Sequence, residues 1–328
     1  MKIFKNKKVL ITGGSGFIAS HLTKRLLRDG ADVTIITKYN SIFENVRLSA
    51  VWDDIRVIEA DLRNIDSLRQ IADLKPEIIY HMSAYNHVGD SFLHVSEALT
   101  CNSNATANLF GAYKDFERFV YISTSEVYGY QTTMPFTETM TPFPISPYSV
   151  GKYSGELYSL MMRHVYNLPV VVVRPFNTFG PYQSPRAVIG EIMIKCLQGS
   201  KIKATQGKQT REFNYVENII DGLLLAGTVD KAIGEIINIC AGLEISIREL
   251  ITMIHKMTES KSELKFGAIP YRPTEIWRMY GDNTKSKEIL GWTPRISFEE
   301  GLRQSVEWYK GFLKVYKDKK SDFYRLNS

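Results

Sequence analysis

The chain has 328 residues, 44% hydrophobic and 12% aromatic, enough to bury a sizeable core in one large domain or in two that share one. Cys101, Cys196 and Cys240 are odd in number and widely separated, with no CxxC pair, which argues against a disulfide framework and a zinc site; no metal is expected. The net charge of +6 comes from scattered lysines and arginines with a basic tail, "KVYKDKK", and no nucleic-acid motif accompanies it, so the expected partner is a small phosphate-bearing molecule.

The opening "MKIFKNKKVLITGG" has an apolar run of four residues and no small-residue cleavage site, so it reads as a first strand and not as a signal peptide. Later apolar runs are too short to span a bilayer, and a cytoplasmic protein without membrane association is expected. Short β-branched runs then alternate with helical patterns: strands at 8–13, 32–37, 55–60, 77–84, 118–124 and 169–175, and helices at 17–29, 64–74 and 95–115. Near-continuous apolar strands separated by helices predict a doubly wound α/β fold with a parallel sheet covered on both faces.

After residue 175 the texture changes to loops punctuated by Gly and Pro, with helices near 185–198, 217–228, 247–258 and 298–315. "GEIINICAG" at 234–242 reads as one more strand returning to the main sheet. The expected division is a dinucleotide-binding domain over 1–176, joined by about 215–240, and a smaller mixed substrate domain over 177–214 and 241–328.

"ITGGSGFIASHL" follows the first strand and opens the first helix. Gly13 permits the tight turn, and Gly16 lets the backbone approach a pyrophosphate at the helix N-terminus, beside Phe17 and Ile18; the third position, Ala19, needs only a small side chain. The second strand ends in Thr37 and Lys38 where an acid would hold the ribose of NAD. A neutral residue followed by a cation suits the 2′-phosphate of NADP, while a solvated lysine with NAD held by other contacts is the alternative. Asp61, followed by Leu62, is placed for the adenine amino group, and Ser83 and Ala84 close the fourth strand beside the cofactor.

"ISTSEVYGYQ" at 122–131 leaves the fifth strand with Thr124, Ser125 and Glu126 side by side. In "SPYSVGKYSGE", Ser146 can cap and Pro147 can start a helix that carries Tyr148 and Lys152 one turn apart on one face. A phenol serves as a base at neutral pH only when a cation stabilises the phenolate, and Lys152 can do so while holding the nicotinamide ribose.

"TGGSGFIA", "YHMSA", "STSEVYG", "PYSVGK", "VRPFNTFGPYQSPRAV", "REFNYVEN" and "RPTEIWRMYGDNTKSKEILGW" occur in the order seen in extended short-chain dehydrogenase/reductases that act on nucleotide sugars, and the resemblance covers nearly the whole chain. The Thr-Ser-Glu version of the fifth-strand motif resembles nucleotide-sugar 4,6-dehydratases, closest in motif to the GDP-mannose 4,6-dehydratase type. The resemblance implies tightly bound NAD, with NADP possible, a nucleotide diphosphate sugar as substrate, and a homodimer, or a tetramer, formed through helices near 95–115 and 146–167. It assigns Thr124 to the sugar C4 hydroxyl, Tyr148 to that hydroxyl's proton, and Glu126 to the C5 proton whose removal expels water from C6. Ser125 stands where many dehydratases have an aspartate acid.

On the substrate side, the resemblance implies His87, Asn177, Arg186, Arg211 and Arg278 as contacts and Glu275 as the holder of the nucleotide ribose, while Asn218 replaces a common aspartate. Three functions are compatible with these motifs: a 4,6-dehydratase, a C4 oxidoreductase, epimerase or decarboxylase on the same scaffold, and a non-catalytic dinucleotide-binding protein. Arg272, Pro273, Thr274 and Glu275 match the GDP-mannose pattern and Trp277 and Arg278 depart from it, so a GDP-linked hexose or heptose is the expected substrate.

Overall fold

The computed structural model describes residues 3–38, 46–271 and 275–317; Arg272, Pro273, Thr274 and the end of the basic tail lie outside the described residues. Six strands, β1 (Lys8–Thr12), β2 (Asp32–Thr37), β3 (Arg56–Glu59), β4 (Ile78–His81), β5 (Arg118–Ile122) and β6 (Val170–Pro175), form a sheet with a seventh, Ile236–Ile239. All pair parallel, in the order Ile236–Ile239, β6, β5, β4, β1, β2, β3. The expected return of the 234–242 segment is therefore realised as the strand beside β6. Chain order reverses between β1 and β4, and such a switch point opens a crevice beyond the strand C-termini.

Alternation along the strands builds two cores. Val9, Ile11, Val33, Ile35, Val120 and Val171 face one side. Leu10, Ile36, Ile79, Phe119, Tyr121 and Val172 face the other. Helix α1 (Phe17–Arg28) contributes Ala19, Leu22 and Leu26 to the first side, which continues into helices α7 (Val188–Gln198), α8 (Val216–Ala226), α9 (Ile247–Met257) and α10 (Phe298–Lys317). The second side is covered by α5 (Ala105–Ala112) and α6 (Pro147–Tyr166).

Two predicted helices differ from expectation. The 64–74 segment is a 3-10 turn capped by Asn64 followed by one helical turn, α2 (Ile71–Leu74), which stops at Lys75 with φ +48°. Pro76 follows Lys75 and disfavours right-handed helix there. After the short turn α3 (Val88–Ser91), the 95–115 segment begins as α4 (Val95–Leu99), widens into a π-helical turn over Thr100–Asn104, and resumes as α5. The wide turn directs the Asn102 amide at the Tyr85 backbone, accepting from its N–H at 2.8 Å and donating to its carbonyl at 3.1 Å. Helix α6 lies directly on this turn because Gly155 has no side chain: a Cβ there would sit 2.5 Å from the Asn102 carbonyl oxygen and 2.4 Å from the Tyr121 hydroxyl.

Beyond β6 the chain makes small strand pairs, Thr178–Phe179 with Asn214–Tyr215, Thr210–Arg211 with Ile245–Ser246, and Ile202–Ala204 with Leu264–Phe266. The first two of these pairs contribute Thr178 and Arg211 to the wall of the cleft. Among the described residues, no helix is long and apolar enough to cross a membrane, and no cluster of His, Cys, Asp and Glu could hold a metal ion.

Candidate active site

A chain of three cavities runs along the switch point. The first, about 270 Å³, is lined by Gly13, Gly16, Thr37, Lys38, Asp61, Leu62, Ser83 and Ala84 among others. The second, about 240 Å³, shares Gly13, Gly16 and Ala84 with it and adds Phe17, Ile18, Thr124, Tyr148 and Lys152. The third, about 770 Å³, shares Asn177 and Thr178 with the second and holds Glu126, Arg211 and Glu275. That volume is within the ~300–1,000 Å³ range of small-molecule pockets.

The glycine turn fits a dinucleotide. Gly13 has φ +66°, and a Cβ on it would lie 2.8 Å from Ser83 Cα, so only glycine lets the turn cross the end of β4. No side chain caps α1, so its first N–H groups remain for an anion. Beneath the turn, the Thr12 hydroxyl oxygen accepts from the Met82 and Ser83 N–H groups at 3.1 and 3.0 Å. Its own proton therefore goes to His81 Nδ1 at 2.8 Å, and His81 Nε2–H donates to Thr106 at 3.0 Å. Burial, with Lys152 adding to it, depresses the imidazole pKa to about 3, so this histidine is a neutral strut joining the ends of β1 and β4.

At the other end of the first cavity, Thr37 is buried with its hydroxyl 3.1 Å from that of Ser15. Asp61 is engaged by the Arg63 guanidinium and accepts the Arg63 N–H at 3.0 Å; its carboxyl is held down to about 2, chiefly by that side chain.

Thr124 caps the turn Ser125–Val127, its hydroxyl oxygen accepting the Glu126 N–H at 3.2 Å. Ser146 and Ser149 form a reciprocal capping box with Pro147 in the first turn, so α6 starts where the sequence signals place it, and Tyr148 enters the cleft from its first turn. Burial pushes the Tyr148 phenol up to about 12; the Thr124 hydroxyl works against that and the Glu126 charge adds to it. One turn on, Lys152 is 2% exposed, with Nζ 4.5 Å above the Tyr121 ring. Burial lowers its pKa to about 7, opposed by Glu156.

Glu156 was not singled out in the sequence. It is fully buried, receives Arg174 Nε at 3.1 Å and the Ser123 hydroxyl at 2.6 Å, and lies one further turn along the Lys152 face of α6. The available signals were the i, i+4 spacing of Lys152 and Glu156 and the single arginine after four valines in β6.

In the third cavity, Arg211 donates to Glu275 at 2.7 Å and to the Ile276 carbonyl at 2.6 Å, and Asn177 donates to the Glu212 carbonyl at 3.2 Å. Glu212, also missed, is buried and pushed up to about 7 by that burial, although it accepts the Gly281 and Gly242 N–H groups at 2.9 and 3.1 Å. It joins three segments behind the pocket wall.

Four expected residues are placed differently. Ser125 lines the second cavity beside Thr124, but its hydroxyl points at the Met279 sulfur, 3.8 Å away. Arg278 is absent from the cavity lining because Glu244 holds its guanidinium in a two-pronged pair at 2.7 and 2.6 Å. His87 caps α3 through Nδ1, accepting the Asp90 N–H at 3.0 Å, and Arg186 pairs with Asp90 at 3.0 Å. None of these three lines the third cavity, but Asp90 and Arg186 adjoin the lining residues Gly89 and Ala187, so their pair ties α3 to the loop before α7 beside it.

Comparison with known proteins agrees with this architecture. The family described as GDP-mannose 4,6 dehydratase matches residues 10–305. A UDP-glucose 4-epimerase of Mycolicibacterium smegmatis is 32% identical over 92% of this chain and 98% of its own length. The dTDP-D-glucose 4,6-dehydratase of Bos taurus is 32% identical over 93% of this chain and 89% of its own. Among solved structures, the Bacillus cereus UDP-glucuronic acid 4-epimerase, in complex with UDP-glucuronic acid and NAD, superposes with a TM-score of 0.86 at 28% identity over 93% of this chain and 99% of its own.

Proposed function

The chain belongs to the GDP-mannose 4,6 dehydratase-type family of extended short-chain dehydrogenase/reductases, whose members include nucleotide-sugar dehydratases and epimerases, and on that premise we propose that it is an NAD-dependent nucleotide-sugar 4,6-dehydratase. The observation that carries the reading is the position of Glu126. It stands two residues after Thr124, in the wall of the large cavity, close enough for its charge to act on the Tyr148 phenol. A C4 oxidoreductase has no use for a second base at that point.

The residues named above for the first two cavities would hold NAD, with the uncapped end of α1 receiving the pyrophosphate and Lys152 the nicotinamide ribose. Bound NAD supplies one thing, a store for the hydride lifted from C4 and later returned to C6. The rest falls to the chain. Thr124 orients the C4 hydroxyl and Tyr148 takes its proton, with Lys152 balancing the phenolate. The resulting 4-ketone acidifies the C5 proton, which Glu126 removes. The C6 hydroxyl departs with a proton and leaves as water. Because the Ser125 hydroxyl faces Met279, Glu126 returning its proton is the route assigned for that step, and C5 then regains a proton from solvent as C6 receives the hydride.

Three nucleotides are supported, by two kinds of observation. The sequence signature favours GDP, though Glu275 alone of its four residues is described, and Glu275 is paired with Arg211. UDP and dTDP are favoured by the names of the relatives. A second reading, C4 epimerisation, draws on the same names and on the orientation of Ser125.

The experiment is a pair of variants on a turned-over nucleotide sugar. Glu126→Gln should still show transient reduced-nicotinamide absorbance but release no dehydrated product, and Tyr148→Phe should suppress both, each loss on the order of 10²–10⁴-fold. Undiminished dehydration by Glu126→Gln would remove the dehydratase assignment.

A further inference from the structure

The cofactor end of the cleft carries more charge than a ribose hydroxyl requires. Lys38 follows β2 and Arg63 follows β3, and both line the first cavity. The end of β2 is where a doubly wound sheet meets the 2′ position of the adenosine ribose. Two cations there are the chemistry of a 2′-phosphate site, which an arginine fork and a lysine point charge both suit. Yet neither cation is free of an anion. Glu97, on α4 across the cleft edge, brings one carboxylate oxygen, Oε1, to 3.5 Å from Lys38 Nζ and 3.7 Å from Arg63 Nη1. Asp61 takes the other face of the Arg63 guanidinium. Two cations thus meet two carboxylates, and this group carries no net charge.

We propose that Glu97 is a specificity-determining residue for the cofactor: its carboxylate stands in for the 2′-phosphate of NADP at Lys38 and Arg63, and thereby keeps the site for NAD. NADP would have to displace Glu97 from both cations and then hold a dianion beside it. NAD brings only a hydroxyl and leaves the pairs intact. Glu97 comes from a different crossover than the β2 and β3 termini, which is why the Thr37–Lys38 pair alone pointed to NADP. The pairs are substantially exposed, with Lys38 at 52% and Glu97 at 40%, so they contribute little to the fold and Glu97 can be replaced without unfolding it. The inference rests on the dinucleotide site and not on the chemistry at the sugar.

The test uses the full chain, expressed in one host and purified with its dinucleotide. Denaturation and chromatography give the NADP to NAD ratio carried by each variant. Wild type should carry NAD. Glu97→Gln should raise the ratio by about tenfold or more, the order expected when a dianion no longer faces a carboxylate a few ångströms away. Glu97→Asp should stay near wild type, and Lys38→Gln added to Glu97→Gln should reverse the gain. If the variant purifies without dinucleotide, a thermal-shift titration with adenosine 2′,5′-bisphosphate against adenosine 5′-phosphate makes the same comparison. An unchanged preference in Glu97→Gln, or wild type that already carries NADP, overturns the assignment, and neither outcome touches the dehydratase reading.

Discussion

Replacing Lys152 by methionine should stabilise the cofactor-free protein while abolishing hydride transfer. Burial takes this ammonium from its ordinary 10.5 to about 7, with Glu156 recovering only part of the loss. Because the folded-state value is depressed, the unfolded chain binds the extra proton, and folding is penalised at every pH below about 10. At 1.36 kcal/mol per pH unit the full penalty is about 5 kcal/mol, reached below pH ~7. At pH 7, where the folded lysine is half protonated, about 4 kcal/mol remains; at pH 9 about 2 kcal/mol does. Methionine fills similar volume and can keep sulfur contact with the Tyr121 ring that Nζ now overlies at 4.5 Å. Urea unfolding of both proteins without cofactor is the assay. The variant should be more stable at pH 7, and its advantage should shrink by about 2 kcal/mol at pH 9. A destabilised variant, or an advantage equal at both pH values, would refute the argument that burial of a working ammonium is a standing cost of this site.

Thermal shift with GDP, UDP, CDP and dTDP should separate the two nucleotide readings, since a ligand at a hundred times its dissociation constant stabilises by ~2.7 kcal/mol; the largest shift names the base. Asp90→Asn breaks the 3.0 Å pair with Arg186 that ties α3 to the loop before α7 beside the pocket, and should speed nucleotide-sugar dissociation a few-fold in stopped flow with kcat little changed; unchanged dissociation would deny the pair a part in retention. Self-association through α6, expected from the family, has candidate contacts in Val150 and Leu157, exposed at 43% and 49% two turns apart. Wild type should sediment as a dimer at micromolar concentration and Leu157→Glu as a monomer, and a monomeric wild type would count against it.

The parts of this molecule legible in the sequence are those set by near neighbours. The strands are short near-continuous β-branched runs, the turn at Gly13 needs a residue without a side chain, and the start of α6 is written in Ser146, Pro147 and Ser149. Tyr148 and Lys152 follow from that start by helical spacing together with their place, one loop after the fifth-strand motif and before the next strand. What was not legible depends on partners far apart in the chain. Glu156 and Arg174 meet across 18 residues and Arg278 and Glu244 across 34, so neither pair leaves a local pattern. Asp61 was hidden otherwise: Arg63, two residues on, engages its carboxylate, and sequence proximity does not show which of several possible partners a side chain takes. The π-helical turn at Asn102 was hidden for a different reason: its apolar period differs from an α-helix by one residue, and only the Tyr85 backbone shows what the extra residue is for.

If the 4-ketone formed at Tyr148 is carried on by Glu126 to loss of water, isotopes report it directly. Incubated with nucleotide sugars in deuterium oxide, the wild-type protein should yield, from its substrate, a product lighter by one water and carrying one deuterium at C5, because the C5 proton goes to Glu126 and is replaced from solvent while C6 receives the stored hydride. A product of unchanged formula with no deuterium at C5 would contradict the account and identify the protein as an epimerase on the same scaffold.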